Sequence, residues 1–130
     1  MSCIIYEKNE QVAVISLNRP EKLNAVNDEV LREFNAALKE AELDDGVTAL
    51  IVKGNGPSFC AGYDLSGQGT AETGFDLRSA GDVADLMENQ RRRQESIFNL
   101  YRFPKSTIAR VQGYCLEMGC SFAMACDISF

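Results

Sequence analysis

The sequence predicts an α/β domain, and three observations carry that prediction. A β-branched run at Val12 to Leu17, an amphipathic helical pattern after Asn27 and a short apolar run at Ala49 to Lys53 succeed one another. A strand, a covering helix and a second strand make a crossover unit whose strands lie parallel. A second long helical pattern leads into another β-rich run at Thr107 to Val111, and the 130 residues, 45% apolar and 25% charged, suit one globular domain.

Taken in order, Cys3 to Tyr6 and Val12 to Leu17 read as a hairpin separated by the polar Glu7 to Gln11. Asn18 to Asn27, NRPEKLNAVN, is a loop marked by Pro20. Asn27 or Asp28 can cap a helix running to about Leu43, because Val30, Leu31, Phe34, Ala37, Leu38 and Ala41 recur at the spacing of one apolar stripe. Asp44 to Gly46 ends that helix and Ala49 to Lys53 follows as a strand, broken at Gly54 to Gly56. The G-x-G there lacks the third glycine of a dinucleotide fingerprint, which has Phe59 in its place, and Pro57 removes a donor.

Residues 66–81 are rich in Gly, Ser, Thr and Asp and read either as a cover over a site or as a surface excursion. A second helix is predicted from Asp82 to Tyr101 with Val83, Leu86, Met87, Ile97, Phe98 and Tyr101 on one face. Gln90 and Gln94 interrupt this stripe, which points its middle toward a partner or a wet cleft. Phe103-Pro104 stops it. After the strand at 107–111, a turn at Gly113 and a second glycine at Gly119 lead into a small-residue helix ending near Cys126, with the start of another strand at 127–130. A strand feeding a helix through such a turn aims unpaired backbone N–H groups into a crevice, a setting for an anion or for packing alone.

Composition removes several chemistries. Nineteen acidic against thirteen basic residues give a net charge of -6, so neither a nucleic-acid backbone nor an anionic membrane is the expected partner. The run Arg91 to Arg93 reads as a solvated helix face or as a phosphate-contacting patch. With no histidine, imidazole-based triads and metal sites are excluded, and the five cysteines form no C-x-x-C pair. They read as reduced, mostly buried thiols, with no metal site. No apolar run reaches the roughly eighteen residues of a membrane span, and a cytoplasmic protein is expected.

With NRPEKLNAV, SFCAGYDL and VQGYCLEMGCSFAMACDI in hand, the chain resembles the enoyl-CoA hydratase/isomerase, or crotonase, superfamily over essentially its whole length. The resemblance implies a spiral of repeated β-β-α units, of which residues 1–130 would be the N-terminal part of a single crotonase-like domain cut short. It also implies an acyl-CoA thioester substrate, no cofactor beyond the CoA moiety, and a homotrimer or hexamer. By motif position the oxyanion donors would be the backbone amides of Tyr63 and Met118. CoA would be met by Lys22, Leu23 and Ala25 in the first loop and by Ala61, Gly62, Asp64, Leu65 and Gly119. Read singly, Lys22 is a solvated lysine and Asp64 a turn or helix cap.

Two departures stand out. Where hydratases of the family carry their first catalytic glutamate, two residues after Gly119, this chain has Ser121. A serine without a partner base cannot do that work. The usual glycine run before the helix is replaced by Glu117-Met118-Gly119, so Glu117 is either a relocated acid/base or a surface or salt-bridged glutamate, and side chains there can strain the turn. The resemblance thus leaves two functional readings open: an acyl-CoA enzyme, or a catalytically incomplete CoA-binding protein.

Overall fold

The computed structural model describes residues 2–66 and 80–130. Its strands are β1 (Ile4–Asn9), β2 (Val12–Leu17), β3 (Ala49–Gly54), β4 (Ser106–Arg110) and β5 (Ile128–Ser129), in one sheet of order β1-β2-β3-β4-β5. Only the β1–β2 pair is antiparallel. The hairpin is tighter than its sequence suggests, because β1 runs on through Glu7, Lys8 and Asn9 and pairs Asn9 with Val12. Polar residues on a solvated edge strand do not end pairing; the turn comes at Glu10, whose φ is 55°.

Helix α1 (Asp28–Leu43) covers the sheet as its stripe predicts: Val30, Leu31, Phe34, Ala37, Leu38 and Ala41 are all buried. Asn27 starts it, its Oδ1 accepting the Val30 amide at 2.9 Å. Lys105 Nζ donates to the Ala41 and Asp44 carbonyls at 2.8 and 2.6 Å, placing a cation at the helix C-terminus. Helix α3 (Met118–Ala125) follows β4 and packs through Phe122, whose ring centroid lies 4.8 Å from that of Phe34. Thr107 and Asp127 exchange side-chain hydrogen bonds with each other's amides at 2.9 and 2.8 Å, which docks β5 beside β4.

Helix α2 (Ala80–Tyr101) corrects the expected phase. Its buried positions are Ser96 and Leu100, with Arg93 and Ile97 partly covered, whereas Val83, Met87, Phe98 and Tyr101 are exposed. The reason is a polar contact: Asn35 on α1 donates to Ser96 Oγ at 2.9 Å, and Asn99 donates to Asn35 Oδ1 at 3.3 Å. That ladder turns the apolar stripe away from α1. The glycine- and serine-rich stretch read as a cover falls, beyond Ser66 and up to residue 79, outside the described residues. No helix among the described residues is long and apolar enough to cross a membrane.

Three segments outside the sheet form a smaller parallel layer, and this layer positions the site. Segment 59–64 is bridged on one side to the first loop at Val26↔Tyr63 and on the other to the turn after β4 at Cys60↔Cys115. Val26 N donates to Gly62 O at 2.8 Å, Asp64 N to Val26 O at 2.7 Å, Cys60 N to Tyr114 O at 2.9 Å and Leu116 N to Cys60 O at 3.0 Å.

Candidate active site

The first loop is held from within by Asn24, which is 2% exposed at a φ of 57°. Its Oδ1 accepts the Arg19 amide at 2.8 Å, and its Nδ2 donates to the Asn55 and Ser58 carbonyls at 2.8 and 2.9 Å. Asparagine tolerates this left-handed conformation better than most residues. The arrangement ties the first loop to the turn after β3, and Ala61 N donating to Leu23 O at 3.0 Å completes the join. Sequence reasoning passed over Asn24, although its place between Leu23 and Ala25 in the family-like motif marks it.

The expected CoA-contacting residues are thereby gathered. Lys22 is exposed at the end of a short 3-10 turn (Pro20–Lys22), Leu23, Ala25 and Ala61 are half-buried, Gly62 is buried and Leu65 is exposed. Asp64 faces inward. Its Oδ1 accepts the Ser66 hydroxyl and amide at 2.5 and 2.9 Å, and its Oδ2 meets an Arg19 guanidinium nitrogen at 3.0 Å. The Ser66 donors and then Arg19 hold its carboxyl well below the usual range, at about 2. Arg19 also donates to the Ala25 carbonyl at 2.5 Å, so the pair braces both segments from inside.

Across the small layer, Gly119 lets α3 approach segment 59–64. A Cβ on Gly119 would stand 2.6 Å from the Cys60 carbonyl oxygen and 2.8 Å from Cys60 Cβ, closer than real side chains come. The helix begins one residue earlier than its sequence pattern suggests, at Met118. Glu117 precedes it with φ 46° and ψ -109°, and its side chain makes no cap hydrogen bond. A non-glycine residue held there carries strain of about 1–3 kcal/mol, the strain expected of a side chain in this turn.

The Glu117 carboxylate instead crosses to the other motif, where Oε2 accepts the Tyr63 amide at 2.6 Å. Gly62, at φ 109°, makes room: a Cβ there would lie 2.9 Å from Oε2. The Met118 amide makes no hydrogen bond to a described residue. Since Glu117 adjoins Met118 through the main chain and touches the Tyr63 amide through its carboxylate, the two expected donors lie within one glutamate side chain of each other.

Glu117, Met118 and Ser121 line a cavity of about 300 Å³, closed on the other side by Gln90, Arg93, Gln94, Ile97 and Phe98 of α2. Gln90 and Gln94, whose polarity broke the α2 stripe, therefore do border a cleft. Arg93 corrects the reading of the basic run as one face. Arg91 and Arg92 are exposed, whereas the Arg93 guanidinium carbon sits 3.2 Å from the Tyr63 ring centroid. Its Nε is buried without a hydrogen-bond partner among the described residues. The run's uniform charge hid this difference, since only the 3.6-residue period distinguishes its members.

Ser121 Oγ donates to the Glu117 carbonyl at 3.3 Å and has no basic neighbour in that bond. Thiol chemistry is remote as well: burial pushes Cys60 up to about 11. Cys3, Cys60 and Cys126 are buried, Cys115 is half-buried and Cys120 is exposed. Among the described residues, Cys3, Glu29 and Glu33 bring ligand-type atoms within 4.8 Å of one another, but Glu33 accepts from Ser2 Oγ and the Ile4 amide at 2.6 and 2.9 Å. That contact secures the chain's start to α1.

Comparisons with known proteins show the family and the fold. The family model for enoyl-CoA hydratase/isomerase matches residues 7–130. The chain is 37% identical over 126 residues to a short-chain-enoyl-CoA hydratase of Clostridium acetobutylicum, covering 96% of this chain and 44% of that protein. It is 34% identical over 128 residues to the 1,2-epoxyphenylacetyl-CoA isomerase of Escherichia coli K12, covering 98% of this chain and 47% of that one. A crystal structure of an enoyl-CoA hydratase/isomerase from Xanthobacter autotrophicus Py2 superposes with a TM-score of 0.83 at 41% identity, over 98% of this chain and 45% of the other. The chain thus spans a little under half the length of these relatives. A match across nearly all its residues, with a shared crotonase fold, places it in the enoyl-CoA hydratase/isomerase family.

Proposed function

We propose that this chain carries the thioester-activating site of an acyl-CoA enzyme, with the Tyr63 and Met118 amides stabilising negative charge on the thioester oxygen. The observation that carries the reading is the Tyr63 amide already receiving a carboxylate oxygen at 2.6 Å, from a glutamate that lines, with Met118, a cavity of about 300 Å³. An enolate or tetrahedral oxygen has the same appetite for preorganised donors, and one such donor is worth about 3 kcal/mol of barrier. The dipole of α3 adds to the effect at Met118. Lys22, Leu23, Ala25, Ala61, Gly62, Asp64, Leu65 and Gly119 form the CoA side of the proposal. Lys22 supplies a point charge for phosphate and Asp64 acts by bracing the loop.

Glu117 is the acid/base in this reading, the only carboxylate among the described residues lining the cavity. A carboxylate beside the Tyr63 amide can carry proton transfer on an enoyl thioester, and isomerisation, hydrolysis and hydration all belong to this reading. No cofactor besides CoA enters, and a cytoplasmic trimer or hexamer belongs to the same proposal. Calorimetry with crotonyl-CoA and acetyl-CoA against crotonate and acetate tests it. Heat is expected with the thioesters, and none from a folded sample would overturn the reading.

Ser121 favours a second reading, a CoA-binding protein without turnover. It predicts thioester binding with no loss of enoyl-thioester absorbance at high protein concentration. Turnover abolished by Glu117→Gln would exclude it.

A further inference from the structure

The Tyr63 amide is not vacant: a side chain of the same chain occupies it. Glu117 Oε2 stands where an acceptor oxygen would stand if Tyr63 is the donor. Its only hydrogen bond to a described residue is to that amide. Gly62 supplies the clearance, since any Cβ there would press on Oε2. Glu117 reaches the amide from a backbone conformation unusual for a residue with a side chain, and without capping its own helix. A surface glutamate would have no need of either arrangement.

We infer that Glu117 is an internal competing ligand of the oxyanion site, which a thioester enters by exchanging its carbonyl oxygen for Glu117 Oε2. The inference rests on Tyr63 being an oxyanion donor, as proposed above. One hydrogen bond is lost and one gained in the exchange, so acceptor strength decides it. A carboxylate is a stronger acceptor than a neutral thioester carbonyl. A neutral thioester carbonyl therefore competes poorly with it. Displacing the carboxylate costs the same whether the incoming oxygen is neutral or carries enolate charge, so Glu117 weakens binding of the ground state and of the enolate by one common factor. Being exposed, the displaced carboxylate can move into water or stay in the cavity beside the acyl group.

Two variants and two readouts test the exchange on the 130-residue chain. Glu117→Gly removes the ligand and suits the positive φ; Glu117→Gln keeps the shape and removes the charge. With butyryl-CoA as an unreactive probe, calorimetry is expected to show about tenfold tighter binding by Glu117→Gly than by the parent, with Glu117→Gln between them. In nitrogen-15 NMR spectra without CoA, the Tyr63 amide proton is expected to move upfield in Glu117→Gly and to return on titration with acetate. Acetate leaves the parent unchanged. Equal or weaker butyryl-CoA binding by Glu117→Gly overturns the exchange. A Tyr63 amide unmoved by loss of the carboxylate overturns the internal ligand itself, whatever the CoA result. Absence of butyryl-CoA binding in all three proteins, with the Tyr63 amide responding as expected, refutes the acyl-CoA reading and leaves Glu117 as the ligand of that amide.

Discussion

Helix α1 and helix α2 pack against each other, and they treat their apolar residues in opposite ways. Every position of the α1 stripe is buried, and the loop before it is locked by Asn24 and by the Arg19–Asp64 pair. On α2 the apolar residues Val83, Met87, Phe98 and Tyr101 face outward, and Leu100 with Ser96 makes the packed contact. Helix α1 is thus part of the core. Helix α2 rests on it through a polar ladder, Leu100 and the half-buried Ile97, leaving Gln90, Arg93 and Gln94 to face the cavity. A core-anchored helix beside a more lightly docked one that lines the cavity is a division suited to admitting a ligand.

Four substitutions probe this contrast. The largest effect is expected from Phe34→Ala. Phe34 is fully buried against Phe122, and urea denaturation should show a loss of about 3–5 kcal/mol. Asn24→Ala comes next, since it strands the Arg19 amide and two carbonyls in a buried place; a loss of about 2–3 kcal/mol is expected. It should weaken thioester binding as well, because the first loop loses its tie to the turn after β3. A normal urea midpoint for this variant would mean that Asn24 does not lock the loop before α1.

Asp64→Asn is smaller and depends on pH. The carboxyl lies at about 2 in the folded chain against an ordinary 3.8. Its depressed value therefore adds stability above about pH 4, a contribution that fades as pH falls through about 2. The parent should lose about 1–2 kcal/mol relative to Asp64→Asn between those limits, read from urea midpoints across the acid range. Parallel acid profiles would show that the Ser66 and Arg19 contacts do not stabilise the fold. Phe98→Ala is expected to be nearly silent in stability, within about 0.5 kcal/mol, because the side chain is 49% exposed. Its effect belongs in acyl-CoA affinity. A large stability loss would mean that α2 is held more firmly than its contacts indicate.

Much of the fold was legible because it rests on short-range patterns. The α1 stripe and its Asn27 cap, the parallel pairing of β2 with β3 and the turn that feeds α3 all follow from periodicity and from chain connectivity. The phase of α2 was not legible. A stripe of Val, Leu, Met, Ile and Phe tells which residues are apolar, and a hydrogen-bonded ladder from Asn35 to Ser96 decided which face was packed. At the site, the motifs picked out Tyr63, Met118 and Glu117, and they did not reveal that the last of these serves the first.

The sequence by itself determined the α/β class, the family resemblance, the lack of histidine in these 130 residues and the serine two positions after Gly119, because each depends on residue identity or local spacing alone. Only the tertiary structure decided that Asn24 locks the first loop, that Arg93 leaves its basic run to stack on Tyr63, and that the Glu117 carboxylate rests on the Tyr63 amide. Those contacts join residues tens of positions apart, and their existence turns on angstrom-scale clearances such as the one Gly62 provides.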